Sequence, residues 1–217
     1  MSTGNIVRGD GDYAHHYKDA EHEFNTSIFG VWCFLLTEIL MFGGLFVAFF
    51  IFHNLYPATF AEGASHLNWK FGATNTAVLL LSSFTMVLSI YYARKNNTKM
   101  IGICLFITLL CACAFMGIKY IEYAHKIHEG LLPGDLFSYA NAQTGNLALY
   151  FSFYFMMTGL HGSHVLVGMG LIIWVLVRSL KGDFNEHYYT PLEGVGLFWH
   201  LVDLIWIYLF PLLYLVG

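Results

Sequence analysis

Charged side chains are scarce in this sequence. Asp, Glu, Lys and Arg make up 11% of the 217 residues, against 57% hydrophobic and 18% aromatic side chains. A soluble domain carries about a quarter charged residues, and the few charges here cluster in short stretches between long apolar runs. That distribution marks an integral membrane protein. Cysteine is sparse as well. Cys33, Cys104, Cys111 and Cys113 all lie inside apolar runs, and none forms a C-x-x-C pair. Cys111 and Cys113, two apart on a helix, point to different faces. The pattern argues against a disulfide framework or a thiolate metal site and for small buried packing residues. No C-x-x-C-H haem attachment run and no glycine-rich phosphate loop occurs, which argues against nucleotide chemistry.

The first 27 residues lack an apolar core. Two basic residues, Arg8 and Lys18, face five acids there, Asp10, Asp12, Asp19, Glu21 and Glu23. A cleavable signal needs a basic start, a short apolar stretch and a cleavage site, and none is seen. Residues 1–27 read as a solvated polar tail. Its histidines, His15, His16 and His22, fit an exposed arm better than a metal site.

Long apolar runs fill the rest. About 20 mostly apolar residues cross the hydrocarbon core as a helix, and five segments qualify: 28–53, 73–94, 100–125, 146–178 and 191–216. The fourth is longer than the core requires, so it tilts or projects. Strands are excluded because the runs lack alternation and are too long. No internal repeat or low-complexity segment is evident, and no span is broken by paired Gly and Pro as inverted-repeat transporters would show. The expected fold is an all-α membrane bundle of five helices over residues 28–217.

Orientation follows from Lys and Arg. Arg8 and Lys18, Arg94, Lys95 and Lys99, and Arg178 and Lys181 share one side; Lys70, Lys119 and Lys126 lie towards the other. This asymmetry predicts a cytoplasmic N-terminus and an outer C-terminus. The longer loops, 54–72 and 127–145, then face outward.

Ionisable residues interrupt the apolar spans. By helix rise, Glu38 lies roughly 15 Å into the first span, and His161, His164, His200 and Asp203 lie near the midplane of the fourth and fifth. His161/His164 and His200/Asp203 are each three apart and share a helix face. A charge at mid-bilayer costs about 2.5–3.5 kcal/mol, while each Leu, Ile, Phe or Val returns about 0.3–0.6. These residues therefore point at other helices. Gly159/Ser163 and Gly44/Ala48 add two small-xxx-small seams for close helix approach.

Several readings of the polar residues compete. In the first they are a hydrogen-bonded layer that fixes helix packing. In the second the histidines ligate haem, or Glu122 and His125 of "EYAH" supply the Glu-x-x-His of a di-iron bundle. That family needs two such units and one is present, and Glu122 sits some 15 Å from the midplane layer. In the third the residues handle protons, with Glu38, which lacks a partner at helical spacing, the best candidate.

Three strings carry a family resemblance. "FWHLVDLIWIYLFPLLYL" (Phe198–Leu215) resembles the last helix of subunit III of the haem–copper oxidases, with its W-H-x-V-D-x-x-W run. "TGLHGSHVLVG" (Thr158–Gly168) resembles that family's T-G-x-H-G-x-H-V-x-x-G, and "LLTEILMFGGLFVAFF" (Leu35–Phe50) its S/T-E-x-x-x-F helix, with the carboxylate on Glu38. "IEY" (Ile121–Tyr123) falls where the family carries Glu-Tyr.

The resemblance, to the five-helix bacterial form of cytochrome c oxidase subunit 3, implies a non-catalytic subunit of an aerobic terminal oxidase. It implies direct packing on oxidase subunit I, contacts with other oxidase subunits and membrane lipids, and no nucleic-acid partner. Haem and copper would reside in partner subunits and none in this chain. The chain would support proton uptake and enzyme lifetime during O2 reduction. Glu38 would be proton-related or lipid-adjacent, with room for a bound phospholipid. His161, His164, His200, Asp203 and Glu122 would form the helix-packing polar network. The implied location is the bacterial inner membrane. "TE" at Thr37–Glu38 favours cytochrome c as donor; the alternatives are a subunit III-like accessory chain of a quinol oxidase or nitric oxide reductase, or a stand-alone metal-binding membrane enzyme.

Overall fold

Helix boundaries in the computed structural model follow local stop signals. The structure describes residues 20–134, 137–139, 146–185 and 188–215; His15 and His16, with most of the polar tail, lie outside them. Helix α1 (Ala20–Leu55) begins eight residues before the predicted span, because Glu21–Ser27 holds no Gly or Pro to stop it. At 36 residues it is about 54 Å long by helix rise, well beyond a core of about 30 Å. It ends where Tyr56, preceding Pro57, leaves helical geometry at φ −131°, ψ 57°, as the pre-proline clash requires.

Pro57 then starts α2 (Pro57–Ser65) in its first turn. This short helix was expected to be loop. Nine residues cannot span a membrane and give no periodic signal, but Pro favours a helix start. Its Phe60 packs edge-on against Phe49 and Tyr150, at ring-centroid distances of 4.9 and 5.5 Å.

The remaining helices are capped as their sequences suggest. Asn68 Oδ1 accepts from Lys70 N at 3.0 Å to open α3 (Trp69–Ala93), and Asn97 Oδ1 from Met100 N to open α4 (Thr98–His128). Gly130 (φ 76°) closes α4, with Leu131 N bonded to Lys126 O and Gly130 N to Ile127 O. Gly182 (φ 80°) closes α5 (Leu147–Leu180) through the same two-bond pattern onto Arg178 and Ser179. Helix α6 follows as Thr190–Tyr214.

Among the described residues, five of the six helices, all but α2, are long and apolar enough to span a membrane, so the expected all-α, five-span architecture is present. The chain is a multi-pass membrane protein. Helix α6 is the hub, contacting α1, α3 and α5 and burying Trp199, Trp206, Leu209 and Leu213. Helices α3 and α4 form a tight hairpin, while α1 is the least enclosed.

Two packing expectations are corrected. Gly44 has no neighbour for an added Cβ, and Gly159 meets only the Tyr123 hydroxyl, at 3.9 Å, so among the described residues neither seam brings two helices into tight contact. Close approach occurs instead at Gly63 against Tyr150, Gly72 against Phe210 and Gly168 against Trp199. Cys33 and Cys113 are exposed rather than buried, and Cys104 alone is fully enclosed. Being small and only weakly polar, cysteine meets lipid at little cost.

Candidate functional site

The polar residues do not gather into one midplane layer. They form three clusters, the second and third joined through Trp206, because each helix face is read by a different neighbour.

In the first cluster, Glu38 on α1 meets His164 on α5, with Oε2 and Nε2 2.8 Å apart. The partner that Glu38 lacks along its own helix comes from across the bundle. His164 Nδ1 is 2.7 Å from the Leu160 carbonyl. A carbonyl only accepts, so Nδ1 carries a hydrogen. Neutral His164 then offers a lone pair at Nε2, which a protonated Glu38 fills; a doubly protonated His164 donates instead to the Glu38 carboxylate. In either case one proton lies between Nε2 and Oε2. Side-chain exposures of 14% and 16% leave the pair at the rim of the bundle, reachable from α1's outer face. Phe42 closes on His164 edge-on at 5.4 Å.

A second cluster lies towards the C-terminal ends of α4 and α6. Lys119 and Glu122 are 6% and 4% exposed, which decides that this is a buried ion pair. Lys119 Nζ donates to Glu122 Oε2 at 2.8 Å and to the hydroxyls of Tyr154 and Tyr214, both at 3.1 Å. Those three bonds use all its donors. The Tyr214 hydroxyl in turn donates to Glu122 Oε1 at 2.7 Å. The rings of Tyr123, Tyr154, Trp206 and Tyr214 surround the ammonium at 5.0–5.8 Å. Lys119 was counted in sequence as an outward-side charge. Its true role was signalled by its place three residues before Glu122 in an apolar helix, which puts both on one face.

The third cluster joins α6 to α3. Ser83 Oγ lies 2.7 Å from His200 Nδ1, and the indoles of Trp199 and Trp206 donate to Ser82 and Thr76 at 3.1 Å. Asp203 is 3% exposed, yet neither oxygen has a hydrogen-bond partner among the described residues. His161 is equally enclosed, with both ring nitrogens unpartnered among the described residues, wedged between Phe115 and Trp206 at centroid distances of 5.6 and 5.3 Å. Of the five predicted network residues, His164, His200 and Glu122 make interhelical bonds, while among the described residues His161 packs without a hydrogen bond and Asp203 has Ser83 near its carboxyl.

Among the described residues no three His, Cys, Asp or Glu side chains converge as a metal-binding group. Glu122, the di-iron candidate, is committed to Lys119 and Tyr214, while His125 points to Glu129 at 3.2 Å.

The family model described as cytochrome c oxidase subunit III matches residues 7–217. The chain belongs to the subunit III family of the haem–copper oxidases. Similar proteins include a probable quinol oxidase subunit 3 of Staphylococcus saprophyticus, 32% identical over 90% of this chain and 92% of that one. The quinol oxidase subunit 3 of Bacillus spizizenii is 31% identical over 88% and 87%. A probable quinol oxidase subunit 3 of Staphylococcus aureus is 28% identical over 90% and 92%. In subunit III terms, the carboxylate of the "TE" helix and the second histidine of "TGLHGSH" are thus one hydrogen-bonded unit. The "EY" glutamate belongs to a separate buried ion pair.

Proposed function

We propose that this chain is the subunit III of a quinol-oxidising terminal oxidase in a bacterial cytoplasmic membrane. Its membership of the haem–copper oxidase family sets the complex. The quinol donor is supported by relatives that carry that name over about nine-tenths of their length and of this chain. Cytochrome c remains the second reading, favoured by the Thr37–Glu38 match and by the description of the family model. The chain binds no redox centre itself; haem and copper belong to partner subunits, and subunit I is its direct neighbour.

Its own contribution is to proton handling and to the lifetime of the enzyme, and the Glu38–His164 pair carries this reading. A single proton held between two ionisable groups, at the rim of the least enclosed helix, can exchange with water or with an adjoining subunit. The N-terminus faces the cytoplasm. With Lys119 neutralised inside the bundle, seven basic residues lie on that side and two on the other.

Oxygen uptake by the purified complex decides the donor: a short-chain quinol should sustain turnover, and reduced cytochrome c should not. The reverse result would return the donor to cytochrome c. A reduced-minus-oxidised spectrum before and after this chain is stripped away tests the cofactor assignment. Haem that stays with the isolated chain would overturn it.

A further inference from the structure

A hollow of about 390 Å³ opens where the start of α3 meets the end of α4, with Phe71, Ile121, Glu122, His125, Lys126 and Glu129 in its lining. Neither Glu38 nor His164 lines it. We propose that it binds the headgroup of a zwitterionic phospholipid with a primary amine, the phosphate held by Lys126 and the ammonium by the Glu129 carboxylate.

Hydrogen-bond accounting points to an acceptor from outside the chain. Lys126 is 5% exposed, and among the described residues its Nζ makes a single hydrogen bond, to Glu129 Oε2 at 2.6 Å. An ammonium has three N–H groups, so two remain, and leaving them dry is costly. A phosphate oxygen at the hollow satisfies them with charge-assisted bonds.

Charge balance then selects the kind of ligand. Lys126 offsets Glu129 at the hollow, and Lys119, buried behind the wall, offsets Glu122, so the site and its backing carry no net charge when the histidines are neutral. A purely anionic headgroup gains nothing from such a site overall. A dipolar headgroup matches it, with its two charges facing the opposite charges of the wall. Glu129 is one-third exposed and accepts from both His125 and Lys126, and its remaining lone pairs suit a donor. A primary ammonium supplies N–H groups; a quaternary one has none to give.

Position selects a lipid. The hollow lies at the end of two membrane-spanning helices, and Phe71 and Ile121 form an apolar, exposed wall. Trp69 and Tyr120 beside it are exposed too, the arrangement of aromatic side chains at headgroup depth. Acyl chains can run from there along the outer faces of α3 and α4.

The test uses the intact oxidase complex, stripped of lipid in detergent and supplied with mixed micelles of one phospholipid class of fixed acyl composition. Phosphatidylethanolamine should raise the melting midpoint of this subunit by roughly 2–4 °C more than phosphatidylcholine does. Lys126→Gln should abolish that preference and Lys126→Arg should keep part of it. Ile121→Trp, at an exposed position that leaves the fold intact, should fill the hollow and remove the preference as well. Equal responses to the two lipids, a greater response to phosphatidylglycerol, or a preference that survives Ile121→Trp would each overturn the assignment. A quinone analogue that reproduces the shift without lipid would overturn it in favour of a quinone site.

Discussion

Glu38 Oε2 and His164 Nε2, 2.8 Å apart, tie α1 to α5, two helices that otherwise meet mainly through aromatic rings, Phe42 on His164 and Phe49 and Phe52 on Phe153. The contact needs one proton, since His164 Nδ1 is already committed to Leu160 O. Substitutions should therefore sort by whether they can supply a hydrogen. In Glu38→Gln the amide can donate to neutral Nε2 and the tie persists; in Glu38→Ala it is lost. A double-mutant cycle on Glu38→Ala and His164→Ala in the detergent-solubilised complex should give a coupling of about 0.6–1.7 kcal/mol, the range of interhelical polar contacts in membranes. Additive single effects would show that the pair contributes nothing to holding α1.

The same pair bears on turnover. Glu38→Ala should leave the complex assembled while shortening its active life or slowing proton uptake, and Glu38→Gln should share that defect because Gln cannot exchange a proton. Long oxygen-uptake assays on liposome-reconstituted enzyme supply the measurement. Unchanged kinetics in both variants, also at high pH, would remove the proton role.

Lys119 is expected to be the least replaceable polar residue of the bundle. Removing one member of a buried pair costs about 3–5 kcal/mol because the other charge is left uncompensated. Lys119→Met should lower the unfolding midpoint accordingly. Adding Glu122→Leu should recover much of the loss, since a packed apolar pair avoids that penalty. If the double variant is no better than the single one, the cost lies in lost ring packing and not in an orphaned carboxylate.

Asp203 should behave oppositely. It is buried with both oxygens unpartnered among the described residues, so Asp203→Leu removes an unmet desolvation cost of about 1–3 kcal/mol. The variant should unfold at or above the parent's midpoint. A clear drop would mean that this carboxyl is satisfied in the assembled membrane protein, by water or by a partner.

Gly63 admits no side chain. A Cβ there would stand 2.2 Å from Tyr150 Cδ1, and that ring cannot yield because its hydroxyl donates to Leu213 O at 2.6 Å. Gly63→Ala should cost about 1–3 kcal/mol through overpacking, read from the melting of the complex. Tyr150→Leu in the same background should relieve part of it.

Much of this molecule was determined by the sequence alone. Apolar runs of bilayer length demanded five spanning helices, because an unsatisfied backbone in hydrocarbon leaves a helix as the solution for each. The cost of burying charge showed that Glu38, His164 and Asp203 turn inward, and the family motifs were legible as strings. What the sequence left open was who meets whom. Helical spacing relates residues three or four apart on one helix, so it offered Lys119 and Glu122 as neighbours but could not bring in Tyr154 and Tyr214 to complete the cage. It put His200 and Asp203 on one face, yet could not show that Ser83 of α3 is what that face meets, with His200 Nδ1 2.7 Å from its hydroxyl. Tertiary structure decided these contacts, because the rotation of each helix about its axis is set by packing. Gly168 under Trp199 and Gly63 under Tyr150 are where that rotation is locked.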